Sequence, residues 1–139
     1  MLRHDKLVAI CLFACLCGCA GILADYDPVT YKSLTDIKPE ILGLYDAFGR
    51  TAVDKDGIKA MRLRLEQMYE YENGKGALNA ETAVQMQKIL DMFNRHAEDR
   101  LKNGKWTKTH FENCRDSIAN ALDIAIRTEQ LKIKMNNEK

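Results

Sequence analysis

Four stretches of the chain repeat their hydrophobic residues at spacings of three and four, the pattern of an amphipathic α-helix. The first begins near Leu34 and continues to about residue 53. Asp36 is the predicted N-cap, and Pro39 falls in the first turn, where its missing N–H has little cost. The predicted buried face of this helix consists of Leu34, Ile37, Ile41, Leu44, Tyr45, Phe48 and Ala52.

The second stretch carries start and stop signals as well as an apolar face. Asp54 or Asp56 can cap its N-terminus, and Asn73 with Gly74 supplies a C-terminal stop. Its predicted buried face is Ile58, Met61, Leu65, Met68 and Tyr69.

The third and fourth stretches follow the same logic. Asn79 is expected to cap the third helix, and residues 103 and 104, Asn and Gly, to end it. The fourth helix opens with a capping-box pattern, Thr109 followed by Glu112, with Thr107 as an alternative cap. The third helix buries Ala83, Met86, Leu90, Phe93, Ala97 and Leu101, and the fourth buries Phe111, Cys114, Ile118, Ala121, Leu122, Ala125 and Ile126.

These elements predict an all-α domain over residues 34–139, arranged as an antiparallel four-helix bundle, because the last three connections are short. The composition agrees. Two Pro and eight Gly are too few for a turn-rich β-protein, and 46% hydrophobic residues are too many for a disordered chain. Trp106, between the third and fourth helices, is expected to cover one end of the bundle.

The fourth helix also carries a second apolar stripe, formed by Ile124, Leu131 and Met135. These residues lie within about 40° of one another and about 120° from the main buried face. The stripe either packs against a third neighbour inside the bundle or forms a seam for a partner helix or a second copy of the chain.

The N-terminus has the layout of a signal peptide. Arg3, His4 and Lys6 form a basic segment, and residues 7–17 form an apolar run of eleven residues. A membrane-spanning helix needs about 20 apolar residues, so a transmembrane anchor is not expected.

Residues 16–19, Leu-Cys-Gly-Cys, resemble the lipobox of bacterial lipoproteins, with Cys at the second place as the one departure. The resemblance implies removal of residues 1–18, a diacylglycerol thioether on Cys19 and acylation of its new amino group. A plain secretory signal cut near Ala24 is the alternative. Two or three acyl chains would anchor the protein stably. Ala20 after the lipidated Cys implies the outer membrane rather than the inner membrane if the host is Gram-negative.

Residues 19–33 are predicted to connect the lipidated Cys19 to the bundle. Residues 20–33 lack helical periodicity and span at most about 50 Å when extended. They either form a free tether or pack onto the bundle through Tyr26 and Tyr31.

The charges and the candidate chemical groups argue against nucleic-acid binding and against catalysis. The chain has 21 Lys and Arg against 20 Asp and Glu, which gives no electrostatic attraction to nucleic acid. Neither His96 nor His110 has a Glu three residues earlier, as a carboxylate-bridged metal centre would require, so no metal or cofactor is expected. Cys114 lies four residues after His110, but its place on the apolar stripe favours a buried, unreactive thiol.

Two blocks, YDPVTYKSLTDIKPEILGLYDAF and DIAIRTEQLKIK, are similar to small envelope lipoproteins. We therefore expect a non-enzymatic, membrane-tethered module that binds another envelope protein or itself through Ile124, Leu131 and Met135. The alternative is a carrier of a small molecule or lipid inside the bundle, lined by Met61, Met68, Met86 and Met92.

Overall fold

The computed structural model describes residues 24–50 and 52–137, with side chains described as far as Met135, and all regular structure in those ranges is helical. The elements are α1 Pro28–Phe48, α2 Lys55–Gly74, the 3₁₀ turn η1 Ala77–Asn79, α3 Ala80–Asn103 and α4 Lys108–Asn137. The predicted all-α class is confirmed.

The helices alternate in direction, and α1 and α4 are neighbours that close the bundle. Lys38 of α1 pairs with Asp123 of α4 at 2.5 Å, and Asp46 of α1 pairs with Arg115 of α4 at 2.7 Å. Residues later in α1 thus pair with residues earlier in α4, so the two helices are antiparallel. We call the end where α1 begins and α4 ends the tether end, and the opposite end the far end.

The core runs along the axis of the bundle and is closed at the far end by aromatic rings. Tyr45 and Phe48 stack with ring centroids 5.1 Å apart, and Trp106 meets Phe48 edge-on at 5.4 Å. Trp106 therefore covers this end of the bundle, as expected. The largest fully buried apolar side chains are Tyr45, Phe48, Phe93, Leu34, Ile37, Ile41, Leu65, Met86, Ile89, Ile118 and Leu122.

The first helix begins at Pro28, so the predicted start at Asp36 is wrong. Asp27 is extended at φ −117° and ψ 111°, and its Oδ1 accepts a hydrogen bond from the backbone N–H of Val29 at 2.8 Å. Pro28 then occupies the first helical position, where its fixed φ suits the helix. Residues 28–33, predicted as tether, are the first turns of α1. The helix also ends early, at Phe48 rather than near residue 53.

The start of α1 is packed onto the bundle and is not part of a free tether. The backbone N–H of Ala24 donates to the carbonyl of Leu78 at 3.1 Å. Tyr31 is half-buried, and its hydroxyl accepts a hydrogen bond from Gln130 of α4 at 3.4 Å. The chain is therefore held from Ala24 onwards.

Most of the other helix boundaries agree with the prediction. Asp54 caps α2 by accepting from the N–H of Gly57 at 2.7 Å, and α3 ends before Gly104, which has φ 73°. The cap of α4 is the alternative residue, because Thr107 Oγ1 accepts from the N–H of His110 at 3.3 Å. The capping box at Thr109 was therefore wrong. Leu101, predicted on the buried face of α3, is exposed.

Candidate functional site

The second apolar stripe of α4 lies on the outside of the bundle. Ile124 and Leu131 are each 54% exposed and Met135 is 41% exposed. The main face of the same helix is buried, with Cys114, Ile118, Leu122 and Ala125 in the core. Packing of the stripe against a third helix of the bundle is therefore wrong for the described chain, and its role as a partner seam stays a prediction.

Positive charge borders the stripe. Arg127 and Lys134 line a surface depression of about 480 Å³ beside it. The acidic residues of this part of α4 are engaged elsewhere, since Asp123 pairs with Lys38 and Glu129 is fully buried. The outer face of α4 thus presents apolar side chains flanked by basic ones.

A groove runs between α1 and α2, the helix pair that packs least closely among neighbours. It consists of two depressions of about 320 and 380 Å³, and Arg64 lines both. Arg64 also forms an ion pair with Glu40 across the groove. Met68 lines the first depression and Met61 the second, whereas Met86 is fully buried in the core. The methionines predicted for a carrier therefore do not share one internal lining.

At the far end, Asp99 is the centre of a hydrogen-bonded cluster. Its carboxylate accepts from Asn103 Nδ2 at 2.6 Å and from Trp106 Nε1 at 2.6 Å, and it lies 3.0 Å from His110 Nε2. The hydrogen bond from Asn103 lowers the pKa of Asp99 below its usual value, and the hydrogen bonds from His110 and Trp106 lower it further. Burial acts in the opposite direction and raises this pKa, but its effect is smaller. Cys114 Sγ lies 3.7 Å from His110 Nε2.

These residues do not have the geometry of a Cys-His-Asp catalytic triad. In a triad the histidine uses one ring nitrogen for the nucleophile and the other for the carboxylate. Here Asp99 and Cys114 both approach Nε2 of His110. Burial, and then the charge of Asp99, raises the pKa of the Cys114 thiol, which disfavours the reactive thiolate. The structure therefore places Cys114 among the core residues, as predicted.

A second polar pair, Tyr45 and His96, lies next to this cluster. The Tyr45 hydroxyl is 2.8 Å from His96 Nδ1. Burial raises the pKa of Tyr45 above its usual range. Burial also lowers the pKa of His96, and the positive charge of Arg95 lowers it further. Both groups are therefore neutral near pH 7, and the hydrogen-bonded pair links α1 to α3.

The tether end holds a buried ion pair that sequence reasoning missed. Lys132 and Glu129 of α4 are 2% and 0% exposed, and Lys132 Nζ lies 2.5 Å from Glu129 Oε1. Lys132 also donates to Thr82 Oγ1 of α3 at 2.9 Å and to Asn79 Oδ1 at 3.2 Å. One ammonium group thus joins α4 to the start of α3.

The network extends from Asn79 to the other two helices. Asn79 Nδ2 donates to Glu72 Oε2 of α2 at 2.6 Å, and Glu72 accepts from Thr30 of α1 at 2.5 Å. Lys75 pairs with both Glu72 at 2.9 Å and Asp27 at 2.6 Å. Although burial opposes it, the hydrogen bond from Lys75 holds the pKa of Asp27 below its usual range. Each of the four α-helices that the structure describes contributes a residue to this network.

A sequence signal for the ion pair existed. Glu129 and Lys132 lie four and seven residues after Ala125, so they continue the buried stripe of α4. Glu72 likewise lies seven residues after Leu65 on α2. Charged residues at buried-stripe positions indicate buried pairs, although the spacing does not identify their partners.

Cys19 lies outside the described residues, so its lipidation stays a prediction. No helix in the described part of the chain is long and apolar enough to cross a membrane. Within the same ranges, no three His, Cys, Asp or Glu side chains are grouped so that they could hold a metal ion. Comparisons with protein-family models, curated proteins and solved structures found no match to this chain.

Proposed function

We propose that this chain is a lipid-anchored, non-enzymatic module of the bacterial cell envelope that binds another protein through the outer face of α4. Cys19 would carry the anchor, and Ile124, Leu131 and Met135 would form the partner-binding surface. The exposure of this aligned stripe on a 30-residue helix is the observation that carries the proposal.

The pattern of the stripe favours a helical partner with acidic flanks. Ile124 and Met135 are separated by about 16 Å along the helix, given a rise of 1.5 Å per residue. A partner helix that packs along this length buries the apolar residues, and its acidic side chains can meet Arg127 and Lys134. Two copies packed through this face would bring like charges together, so we favour a different protein over self-association.

A small apolar ligand in the α1–α2 groove is the second candidate, because Met61 and Met68 line that groove. A Cβ atom at Gly43, which lines the same groove, meets nothing within 4 Å. Gly43→Phe should therefore block a groove ligand without disturbing the core. A fluorescent apolar probe that binds the wild type, but not this variant, would support the carrier function.

The anchor is tested with Cys19→Ser in the full chain. We expect the variant to leave the membrane fraction and to keep its helical circular dichroism, because the described bundle begins after the signal. Fractionation of the wild type tests the proposed location: in a Gram-negative host, recovery only from the inner membrane would contradict the expectation from Ala20.

The partner surface is tested with the double variant Ile124→Glu and Leu131→Glu in the lipidated chain. Both side chains are exposed, and surface substitutions usually cost under about 0.5 kcal/mol each, so the thermal midpoint should stay within a few degrees. Proteins cross-linked to the wild type in native membranes should be lost from the variant. The binding should also weaken as salt is raised, because Arg127 and Lys134 contribute to it.

Leu63→Glu with Leu101→Glu is the matched control, since both leucines are exposed on other helices. This control should keep the cross-linked protein. Loss of the partner from both double variants, or from neither, would contradict the assignment to α4.

A further inference from the structure

We propose that the tether end of the bundle rests on the lipid surface, with Val29, Tyr71 and Leu78 in contact with the headgroup region. The inference rests on the proposed lipidation of Cys19 and goes beyond it, because an anchor on a long tether would leave the bundle free of the membrane.

The chain between the anchor and the bundle is short. The N–H of Ala24 donates a hydrogen bond to the carbonyl of Leu78, so the chain is held against the bundle from Ala24 onwards. Five residue steps separate Cys19 from Ala24, and they span at most about 18 Å when fully extended. The sequence alone had allowed about 50 Å for a free tether of residues 20–33.

Part of this roughly 18 Å of extended chain must cross the polar interfacial zone of the bilayer. The polar region on each side is roughly 5 to 8 Å thick, given about 30 Å for the hydrocarbon core and about 40 to 45 Å in total. Acyl chains hold Cys19 at the hydrocarbon boundary. Ala24 and the carbonyl of Leu78 therefore lie within about 10 to 13 Å of the outer edge of the headgroups, even with the chain fully extended.

The tether end presents exposed apolar side chains. Leu78 is 61% exposed, the largest exposure of any large hydrophobic residue that the structure describes, and Val29 and Tyr71 at the same end of the bundle are also exposed. Val29 and Tyr71 line the same depression at the start of α1. The far end differs, since Leu101 is the exposed large hydrophobic residue described there. The apolar exposure is therefore greatest where the short tether emerges.

The groups around Tyr71 also suit a lipid surface. Its hydroxyl donates to Asp27 Oδ2 at 2.8 Å, and Lys75 Nζ lies 4.2 Å from the centre of its ring. Lys75 is in turn paired with Asp27 and Glu72. Lys75 thus faces two carboxylates, so this cluster offers no excess positive charge to anionic lipid. A tyrosine with an apolar body and a polar tip suits the membrane interface. We therefore expect an apolar contact that does not require anionic lipid.

In this orientation the bundle stands away from the membrane. Trp106 lies just before α4 at the far end, and α4 extends for about 40 Å from Lys108 to Met135. Trp106 is the chain's one tryptophan and should be far from the lipid. A bundle lying flat on the membrane would instead bring both ends near the headgroups.

The experiment uses the full lipidated chain in phosphatidylcholine vesicles that contain a lipid with a nitroxide quencher on its headgroup. Leu78→Trp adds a second tryptophan at the tether end, and Leu101→Trp adds one at the far end as the matched control. Both positions are exposed, so both variants should keep the helical circular dichroism of the wild type. Flotation of each protein with the vesicles is measured in the same samples.

We expect the quencher to remove the emission added by Leu78→Trp and to leave the emission of Trp106 and of Leu101→Trp unchanged. Adding phosphatidylglycerol should not alter this result. Proteins that float with the vesicles while Leu78→Trp stays unquenched would overturn the inference and leave the anchor intact. Equal quenching of both variants would show a flat orientation and would also overturn it. A wild type that does not float at all would contradict the anchor itself, and the inference would fall with it.

Discussion

The buried ion pair at the tether end should make Lys132 one of the residues most sensitive to substitution. Its ammonium group contacts Glu129, Thr82 and Asn79 at 2.5, 2.9 and 3.2 Å, and neither member of the pair is accessible to water to a significant extent. Lys132→Met keeps an unbranched apolar side chain of similar length. It leaves the carboxylate of Glu129 buried without a positive charge.

Removing one partner of a buried ion pair costs about 3 to 5 kcal/mol, much of it the free energy of burying the remaining charge. For a domain of this size the loss corresponds to a fall of roughly 10 to 20 °C in the thermal midpoint. In urea, with an m-value near 2 kcal/mol/M, the unfolding midpoint should fall by about 2 M. Circular dichroism at the helical minimum measures both transitions.

Lys32→Met is the control, because the Lys32 side chain is 75% exposed and pairs with Asp36 on the surface of α1. An exposed pair contributes about 0 to 1 kcal/mol, so this midpoint should hardly move. Lys132→Met combined with Glu129→Leu should recover most of the lost stability, since both charges of the buried pair are then removed. A Lys132→Met variant as stable as Lys32→Met would refute the reasoning.

Three further predictions concern the far end of the bundle. Burial lowers the pKa of His96, so as the pH falls the imidazole is protonated in the unfolded state before it is protonated in the folded state. The free energy of unfolding should therefore fall as the pH drops below about 6.5. Urea titrations from about pH 7 to 5 measure this fall, which should be smaller in His96→Gln. Cys114 should react with a thiol reagent much faster in urea than in buffer, and equal rates would contradict its burial. Thr107→Ala should cost about 1 kcal/mol and Thr109→Ala less, because Thr107 caps α4.

Helix number, order and burial could be predicted from the sequence because each helix exposes one apolar stripe to the core. The first boundary could not. A residue before proline is biased toward extended geometry, and Asp27 is extended as that rule requires. The same geometry is that of an N-cap followed by Pro at the first helical position, so the rule does not separate a linker from a helix start. The hydrogen bond between Ala24 and Leu78 forms only in the folded bundle, and no pattern in the sequence near either residue indicates it.

The polar network was missed for a related reason. The positions of Glu129 and Lys132 on the buried stripe are visible in the sequence, but Asn79 and Thr82, which complete the site, lie about fifty residues earlier. Which residues of α3 face them depends on the axial register of the two helices. Periodicity identifies the face of a helix and leaves this register open.

Register also links the two proposed surfaces. Amphipathic helices can pack with their stripes aligned in more than one axial position, and buried polar groups that need specific partners favour one of them, as single polar residues do in coiled coils. Lys132 is hydrogen-bonded to Glu129, Thr82 and Asn79, and it sets the axial position of α4 against α3 about one and a half turns from the tether end. If the lipid on Cys19 holds that end against the headgroups, the stripe from Met135 to Ile124 occupies the first 20 Å or so of the bundle above its base. With a gap of at most about 13 Å below the bundle, the partner's binding segment must lie within roughly 33 Å of the outer edge of the headgroups. The two proposals therefore select the same class of partner, a protein that is itself held at the membrane.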